Sequence, residues 1–248
     1  MNILCVIPAR YSSTRLPGKP LAMIDGKPMV RHVYERAKQA VRPNAVLVAT
    51  DHELVYQAVA GFGGEVVMTS PEHPTGTDRL AEVAAKYPAA DIIINVQGDE
   101  PLIAPEVIDL LAGAFDGCPD LNMATLMTEM DKSEYNLASA VKVVTSLDGY
   151  ALYFSRSLIP FPRNSKLPGS PLPVYKHIGI YAYRRDFLLE YAALPPTPLE
   201  LTESLEQLRA LEHGYKIRVL KTNFKSIGVD TPEELERVNE YFKMLKKP

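Results

Sequence analysis

Arg10, Arg15 and Lys19 stand together in one short stretch, Pro8-Ala9-Arg10-Tyr11-Ser12-Ser13-Thr14-Arg15-Leu16-Pro17-Gly18-Lys19-Pro20. The residues between them are small and polar, so backbone amides stay open. Open amides and three cations can cradle a polyphosphate. The stretch is neither a Walker A loop nor a dinucleotide fingerprint, because G-x-x-x-x-G-K-[ST] and G-x-G-x-x-G are both absent. A solvated basic loop is the plainer alternative. Further on, Asn95-Val96-Gln97-Gly98-Asp99-Glu100-Pro101 sets a carboxylate directly after an apolar run, beside a glycine that permits close approach. That is a common way to hold Mg²⁺. Ile227-Gly228-Val229-Asp230-Thr231-Pro232 offers a second carboxylate. Asp99 as a turn former or helix cap, and Asp230 as a neighbour of the Thr231 cap, are the structural alternatives.

Other polar groups are scattered. Arg156 follows Tyr153-Phe154-Ser155, Arg163 lies in a proline-rich stretch, and His177 opens His177-Ile178-Gly179-Ile180-Tyr181-Ala182-Tyr183. Glu203, Glu206, Gln207 and Arg209 ride a helical pattern whose buried face is marked by Leu201, Leu205 and Leu208. Polar residues on such a helix are mostly solvated, and a lone histidine on a strand is mostly structural. Cys5 and Cys118 are too few for a disulfide framework or a cysteine-rich metal site, and Cys5 reads as a small core residue. No Cys/His cluster, H-E-x-x-H or G-x-S-x-G occurs, so zinc-hydrolase and serine-hydrolase readings lapse.

The elements that must position these groups follow from apolar spacing. Residues 3–7 form a short continuous apolar run ended by Pro8, which suits a fully buried strand. Similar runs recur at 45–49, 66–68 and 92–96. Between them, Met29, Val30, Val33, Tyr34 and Ala37 share a helical face, as do Leu54, Val55, Ala58 and Val59. Residues 77–86 and 105–115 are helical too, the latter opening with Pro105. Strands alternating with helices predict a mostly parallel sheet with helices on both faces, an α/β fold. Ligands in such sheets bind beyond the carboxyl ends of the strands, where Arg10 and Asp99 fall.

After Phe115 the pattern turns β-rich, with strands predicted at 123–126, 140–145, 150–154 and 175–183 and no long helix between them. Five prolines in 159–173 make that segment an exposed excursion. Helices are predicted at 199–212 and 232–245, with a strand at 216–220 between them. Thr231 is the N-cap of the last helix, with Pro232 at its first position and Glu233 and Glu234 in its first turn. One α/β domain carrying a β-rich lobe is expected.

Composition sets the outer bounds. A chain of 248 residues, 46% hydrophobic and 23% charged, builds a core that stands without disulfides. Its net charge of -3 argues against a nucleic-acid binder but permits a local cationic pocket. No apolar stretch approaches the roughly 20 residues needed to span a bilayer. The N-terminus reads as a strand rather than a signal peptide, so a soluble cytoplasmic protein with no membrane partner is expected.

The stretch Ile7 to Leu21 closely resembles the signature of the 3-deoxy-manno-octulosonate (KDO) cytidylyltransferases, also called CMP-KDO synthetases. The resemblance continues in order through Thr75-Gly76-Thr77-Asp78-Arg79-Leu80, Asn95 to Pro101, Ala140-Val141-Lys142-Val143-Val144 and Gly149 to Arg156. It runs on through His177 to Tyr181, Leu205-Glu206-Gln207-Leu208-Arg209 and Gly228 to Pro232, and so covers nearly the whole chain. Together the blocks are highly specific; the first alone would also fit related sugar nucleotidyltransferases. Departures lie in 159–173, which is shorter than is common in the family, and at Lys176, where arginine is expected.

The resemblance implies a nucleotide-diphospho-sugar transferase-like fold and a reaction in which CTP and KDO give CMP-KDO and pyrophosphate with Mg²⁺, for lipopolysaccharide biosynthesis in a Gram-negative bacterium. Residues 1–120 of the single domain would then be mainly nucleotide-binding and 121–230 mainly sugar-binding and dimerising. By the same resemblance Arg10, Ser13, Arg15 and Lys19 hold the triphosphate, with Arg10 and Lys19 acting in catalysis beside Asp99 and Asp230, the metal ligands. Pro8, Ala9, Thr75, Gly76, Arg79 and Gln97 line the nucleoside side. Arg156, Arg163, His177, Glu206 and Gln207 bind the sugar acid. A homodimer is implied as well. The rival readings are a cytidylyltransferase for 8-amino-KDO or another sugar acid such as sialic acid, and, more remotely, a non-catalytic nucleotide-binding protein.

Overall fold

The computed structural model describes residues 1–13, 15–163 and 173–245. The first strand, β1 (Ile3–Pro8), is buried through Ile7. A 3₁₀ turn at Lys19–Leu21 and a small hairpin of β2 (Met23–Ile24) and β3 (Lys27–Pro28) follow. The hairpin turns at Asp25 and Gly26, both with positive φ. Strand and helix then alternate as α1 (Met29–Ala37), β4 (Ala45–Thr50), α2 (Glu53–Gly61), β5 (Val66–Met68), α3 (Gly76–Lys86), β6 (Ile92–Asn95) and α4 (Pro105–Gly113). The α3 start is fixed by a capping box in which Thr75 accepts from the Asp78 amide and the Asp78 carboxylate returns to the Thr75 amide.

The second half adds β7 (Met123–Glu129), β8 (Lys142–Thr145), β9 (Ala151–Ser155), β10 (Tyr175–Arg184), α5 (Arg185–Ala193), α6 (Pro198–Glu203), α7 (Gln207–Glu212), β11 (Ile217–Lys221) and α8 (Pro232–Leu245). The main sheet runs β11-β7-β10-β6-β1-β4-β5. Pairings of β1 with β4 and β6, β4 with β5, and β7 with β11 are parallel, while β10 is antiparallel to both β6 and β7. The β-rich lobe is an extension of this sheet. The start of β10 pairs with β8, which pairs with β9.

Because side chains alternate along β1 and β6, each face of the sheet gathers its own core. Ile3, Cys5, Ile7, Ile92 and Ile94 pack with α1, α2 and α4, whereas Leu4, Val6 and Ile93 pack with α3, α5 and α7. Burial pushes the Cys5 thiol up to about 12, as suits an inert core residue. A third, smaller core joins Ile24, Met29, Val229 and Val238, and so docks α8 on the hairpin.

Two expectations need correction. The helix expected over 199–212 is two short helices, broken at Ser204, whose φ is 51°. Arg209 reaches back over the break to chelate the Glu200 carboxylate at 2.8 and 2.6 Å, both side chains buried. The break also turns Leu201 outward, so it does not share the buried face of Leu205 and Leu208. In addition, α5 follows β10 without a loop, burying Phe187, Leu188 and Tyr191. It went unseen because strand passes into helix with no glycine or proline between them, and only the charged Arg184-Arg185-Asp186 marks the junction.

Candidate active site

The exit of β1, the exit of β6 and the segment before α8 meet at the carboxyl end of the sheet and enclose a cleft of about 480 Å³. Pro8, Ala9, Arg10, Ser13, Arg15, Lys19, Gly76, Gln97, Asp99, Glu206, Gln207 and Asp230 all line it.

At its mouth the Lys19 ammonium lies 2.5 Å from Asp99 Oδ2 and 2.9 Å from Asp230 Oδ1. Arg15 Nη2 lies 3.0 Å from Asp230 Oδ2. Burial pulls the Lys19 pKa down, but the two carboxylates outweigh it and the value ends above the ordinary lysine range. The side chain is therefore firmly cationic. Backbone contacts hold the group together. A Cβ on Gly98 would fall 2.5 Å from the Pro8 carbonyl oxygen, so only glycine lets the two strand exits approach this closely. The Val229 amide donates to the Asp99 carbonyl at 2.9 Å. Glu234 Oε2 accepts from the Asp230 and Thr231 amides at 2.8 and 3.1 Å, and Thr231 Oγ1 accepts from the Glu234 amide at 3.3 Å. The expected Thr231 cap is present, as half of a reciprocal box.

Two carboxylates converging on one cationic centre are a suitable donor set for a hard divalent cation. Among the described residues no cluster of three or more His, Cys, Asp or Glu side chains exists that could hold a metal. Asp99 and Asp230 would thus leave most of the coordination sphere of Mg²⁺ to substrate oxygens and water, as is usual for that ion.

Another part of the cleft is largely aromatic. Met123, Thr77, Asn95, Tyr181, Tyr183 and Tyr191 line it, and none of these was picked out from the sequence. Tyr183 lies between Tyr181 and Tyr191, with ring centroids 5.9 and 6.2 Å away. Burial raises all three phenols, which keeps them protonated. The Tyr191 hydroxyl donates to the Glu206 carbonyl at 2.6 Å. Burial also pushes the Glu206 carboxyl up, opposed by a hydrogen bond with Thr77. Period-two spacing of Tyr181 and Tyr183 after His177 was the one available signal, but aromatics on a strand read first as core.

Five expected site residues do not line the cleft. Arg79 is fully buried, pairing with Asp51 at 2.7 Å and with the Thr69 hydroxyl, while the same Asp51 carboxylate accepts from the Tyr11 amide at 3.2 Å. It ties α3 to the exits of β4 and β1. Thr75 is occupied by its capping box, with Oγ1 a marginal 3.5 Å from Glu206. The Arg156 guanidinium is engaged by the backbone carbonyls of Glu203, Ala138 and Ser204 at 2.6, 3.0 and 3.1 Å. Arg163 is exposed at the edge of 164–172, which lie outside the described residues, so most of the proline-rich stretch does too. Lys176 pairs with Glu134.

His177 is half-buried next to Tyr181, its Nε2 2.9 Å from Thr125 Oγ1. The Thr125 hydroxyl spends its proton on the Ile180 or Ile178 carbonyl, so the imidazole Nε2–H is the donor in that contact. Burial pulls the His177 pKa down to about 3.

A family model described as Cytidylyltransferase matches residues 4–217. A 3-deoxy-manno-octulosonate cytidylyltransferase of Geobacter sulfurreducens is 55% identical over 251 residues, spanning 98% of this chain and 100% of that one. Another, of Fusobacterium nucleatum, is 52% identical over 244 residues, spanning 98% of each. A solved structure of CMP:2-keto-3-deoxy-manno-octonic acid synthetase complexed with CTP aligns with a TM-score of 0.93 at 48% identity, covering 99% of this chain and 100% of that one. A 4-diphosphocytidyl-2C-methyl-D-erythritol synthase from Anaerococcus prevotii aligns with a TM-score of 0.65 at 13% identity over 98% of this chain and 96% of that one, which speaks to the fold alone.

Proposed function

The chain belongs to the 3-deoxy-manno-octulosonate cytidylyltransferases, and on that footing we propose that it joins CTP to KDO, giving CMP-KDO and pyrophosphate, the activated sugar serving lipopolysaccharide biosynthesis. In this reaction the anomeric hydroxyl oxygen of the sugar acid bonds to the α-phosphorus. The bond from that phosphorus to the bridging oxygen breaks, pyrophosphate leaves with the electron pair, and the hydroxyl proton passes to solvent.

The observation that carries the reading is the convergence of Asp99 and Asp230 on Lys19 in a cleft that Tyr181, Tyr183 and Tyr191 also line. Lys19, Arg15 and Arg10 would offset the charge of the triphosphate, and Ser13 would orient it. Pro8, Ala9, Gly76 and Gln97 would face the nucleoside, with Gln97 already oriented by its bond to the Gly179 carbonyl at 2.9 Å. Glu206 and Gln207 would face the sugar acid. Asp99 and Asp230 would hold Mg²⁺, which when bound lends positive charge to the α-phosphate and acidifies the attacking hydroxyl. A dedicated general base is not required on this account. Asp99 and Asp230 are engaged with cations, and burial disfavours ionisation of Glu206.

Three coarser properties belong to the same reading. No helix among the described residues is long and apolar enough to cross a membrane, in keeping with work in the cytoplasm. The negative net charge speaks against a nucleic-acid partner. A homodimer formed through the β-rich lobe would cover Leu152 on β9, which is 63% exposed; sedimentation showing only monomer would refute it.

Pyrophosphate release with CTP, Mg²⁺ and KDO tests the function, with 8-amino-KDO and sialic acid run alongside. Strong turnover with KDO is expected. Turnover confined to another sugar acid would overturn the sugar assignment while leaving the CTP end in place.

A further inference from the structure

Two side chains in the wall of the cleft carry buried polar atoms without a protein partner. Asn95 closes β6 and is 6% exposed, and its Oδ1 has no donor among the described residues. Gln207 opens α7 and is 4% exposed, and its Nε2 has no acceptor among them. Both line the cleft. Buried polar atoms are nearly always hydrogen-bonded, and a bare one costs stability. A bare acceptor and a bare donor in one cleft wall match a ligand that brings both complements.

The position of Asn95 owes nothing to its side chain. Its backbone sits in register with Val6 on β1 and Tyr181 on β10, within a sheet held by apolar neighbours. Residues directly paired across strands share a face, so the carboxamide lies on the Tyr181 side of the sheet. That places it on the aromatic side of the cleft, with Tyr181. The cations that would serve the triphosphate come from the loop after β1. An uncharged amide suits an uncharged polyol carbon chain.

Resting on the reading of this chain as a KDO cytidylyltransferase, we propose that Asn95 is a sugar-binding residue whose Oδ1 accepts a hydroxyl of the sugar acid, with Gln207 Nε2 donating to an oxygen of the same molecule. Asn95 thereby measures the hydroxyl pattern of the acceptor. A site built to bond a substrate hydroxyl rejects an analogue lacking it far more strongly than an apolar pocket rejects a missing methylene. An amine in place of that hydroxyl can still donate, so the pair excludes analogues that lack this one hydroxyl rather than amino sugars.

The test is steady-state kinetics of Asn95→Ala and wild type with CTP, KDO and a set of monodeoxy KDO analogues, together with thermal melting. Asn95→Ala is expected to raise the KM for KDO at least about tenfold while holding the KM for CTP within about twofold. Its melting temperature should equal or exceed that of wild type, because a bare buried acceptor has been removed. One deoxy analogue should lose about thirtyfold or more in kcat/KM with wild type and almost nothing further with Asn95→Ala. A lower melting temperature with unchanged kinetics would make Asn95 a structural amide. An equal rise in the KM for CTP would assign it to the nucleotide, and wild-type indifference to every deoxy analogue would also overturn the proposal. Wild type inert toward KDO would remove the underlying reading, and the proposal with it. Wild type active but Asn95→Ala unchanged would remove the proposal alone.

Discussion

The Val229 amide donates to the Asp99 carbonyl over 2.9 Å, fastening together two carboxylates drawn from distant parts of the chain. Val229 is itself fully buried against Ile24, Met29 and Val238. The place of Asp230 is therefore set by the packing of α8 on the β2–β3 hairpin, and that of Asp99 by the close passage of Gly98 past Pro8. Neither aspartate depends on its own side-chain contacts for position, so either carboxylate could exchange its bond to Lys19 or Arg15 for one to Mg²⁺ and keep its place.

Gly98→Ala should damage catalysis more than folding. The new Cβ meets the Pro8 carbonyl at 2.5 Å and must push the β1 and β6 exits apart. Overpacking of this kind costs about 1–3 kcal/mol, and a displacement near 1 Å at reacting groups can cost about 100-fold in rate. Melting curves and kcat measured on the same preparation check this; a variant with normal kcat would show that the close approach does not matter.

Arg79→Leu should be chiefly a stability defect. It strands the mostly buried Asp51 carboxylate, and breaking a buried pair from one side costs about 3–5 kcal/mol. Restoring the balance with Asp51→Asn in the same chain should recover much of that loss. A stable single variant with a large rise in the KM for CTP would instead return Arg79 to direct nucleotide contact.

The His177 environment predicts a particular acid sensitivity. Its folded pKa, about 3, lies below the ordinary histidine value, so the unfolded chain binds the extra proton first. Stability from this residue is present above about pH 6.5 and is lost as pH falls toward 3. His177→Gln should flatten that part of the curve of unfolding free energy against pH. An unchanged slope between those limits would mean the imidazole is already charged in the folded protein.

How much could be read beforehand depends on whether the chemistry is contiguous. The loop from Arg10 to Lys19 and Asp99 stood out because polar groups follow apolar strands and the α/β order dictates where those strands end, whereas Asp230 follows no strand and gained its role as a metal ligand only through the family resemblance. The burial of Arg79 was not foreseen because a sequence displays its charge but not Asp51, which pairs with it from another strand exit. The tyrosines were passed over because burial and cleft-lining demand the same residue type on a strand. Ser204 gave no warning of the helix break, since serine rarely takes positive φ; the pull of Arg209 on Glu200 is a tertiary contact, invisible to periodicity.

The pairing of Asp99 with Asp230 is tested most directly by titrating Mg²⁺ into pyrophosphate release by wild type and by Asp99→Asn, at saturating CTP and KDO. With one of only two carboxylates neutralised, kcat should fall at least about 100-fold and should not recover at any Mg²⁺ concentration. Near-normal turnover by Asp99→Asn at saturating Mg²⁺ would contradict the account at its centre.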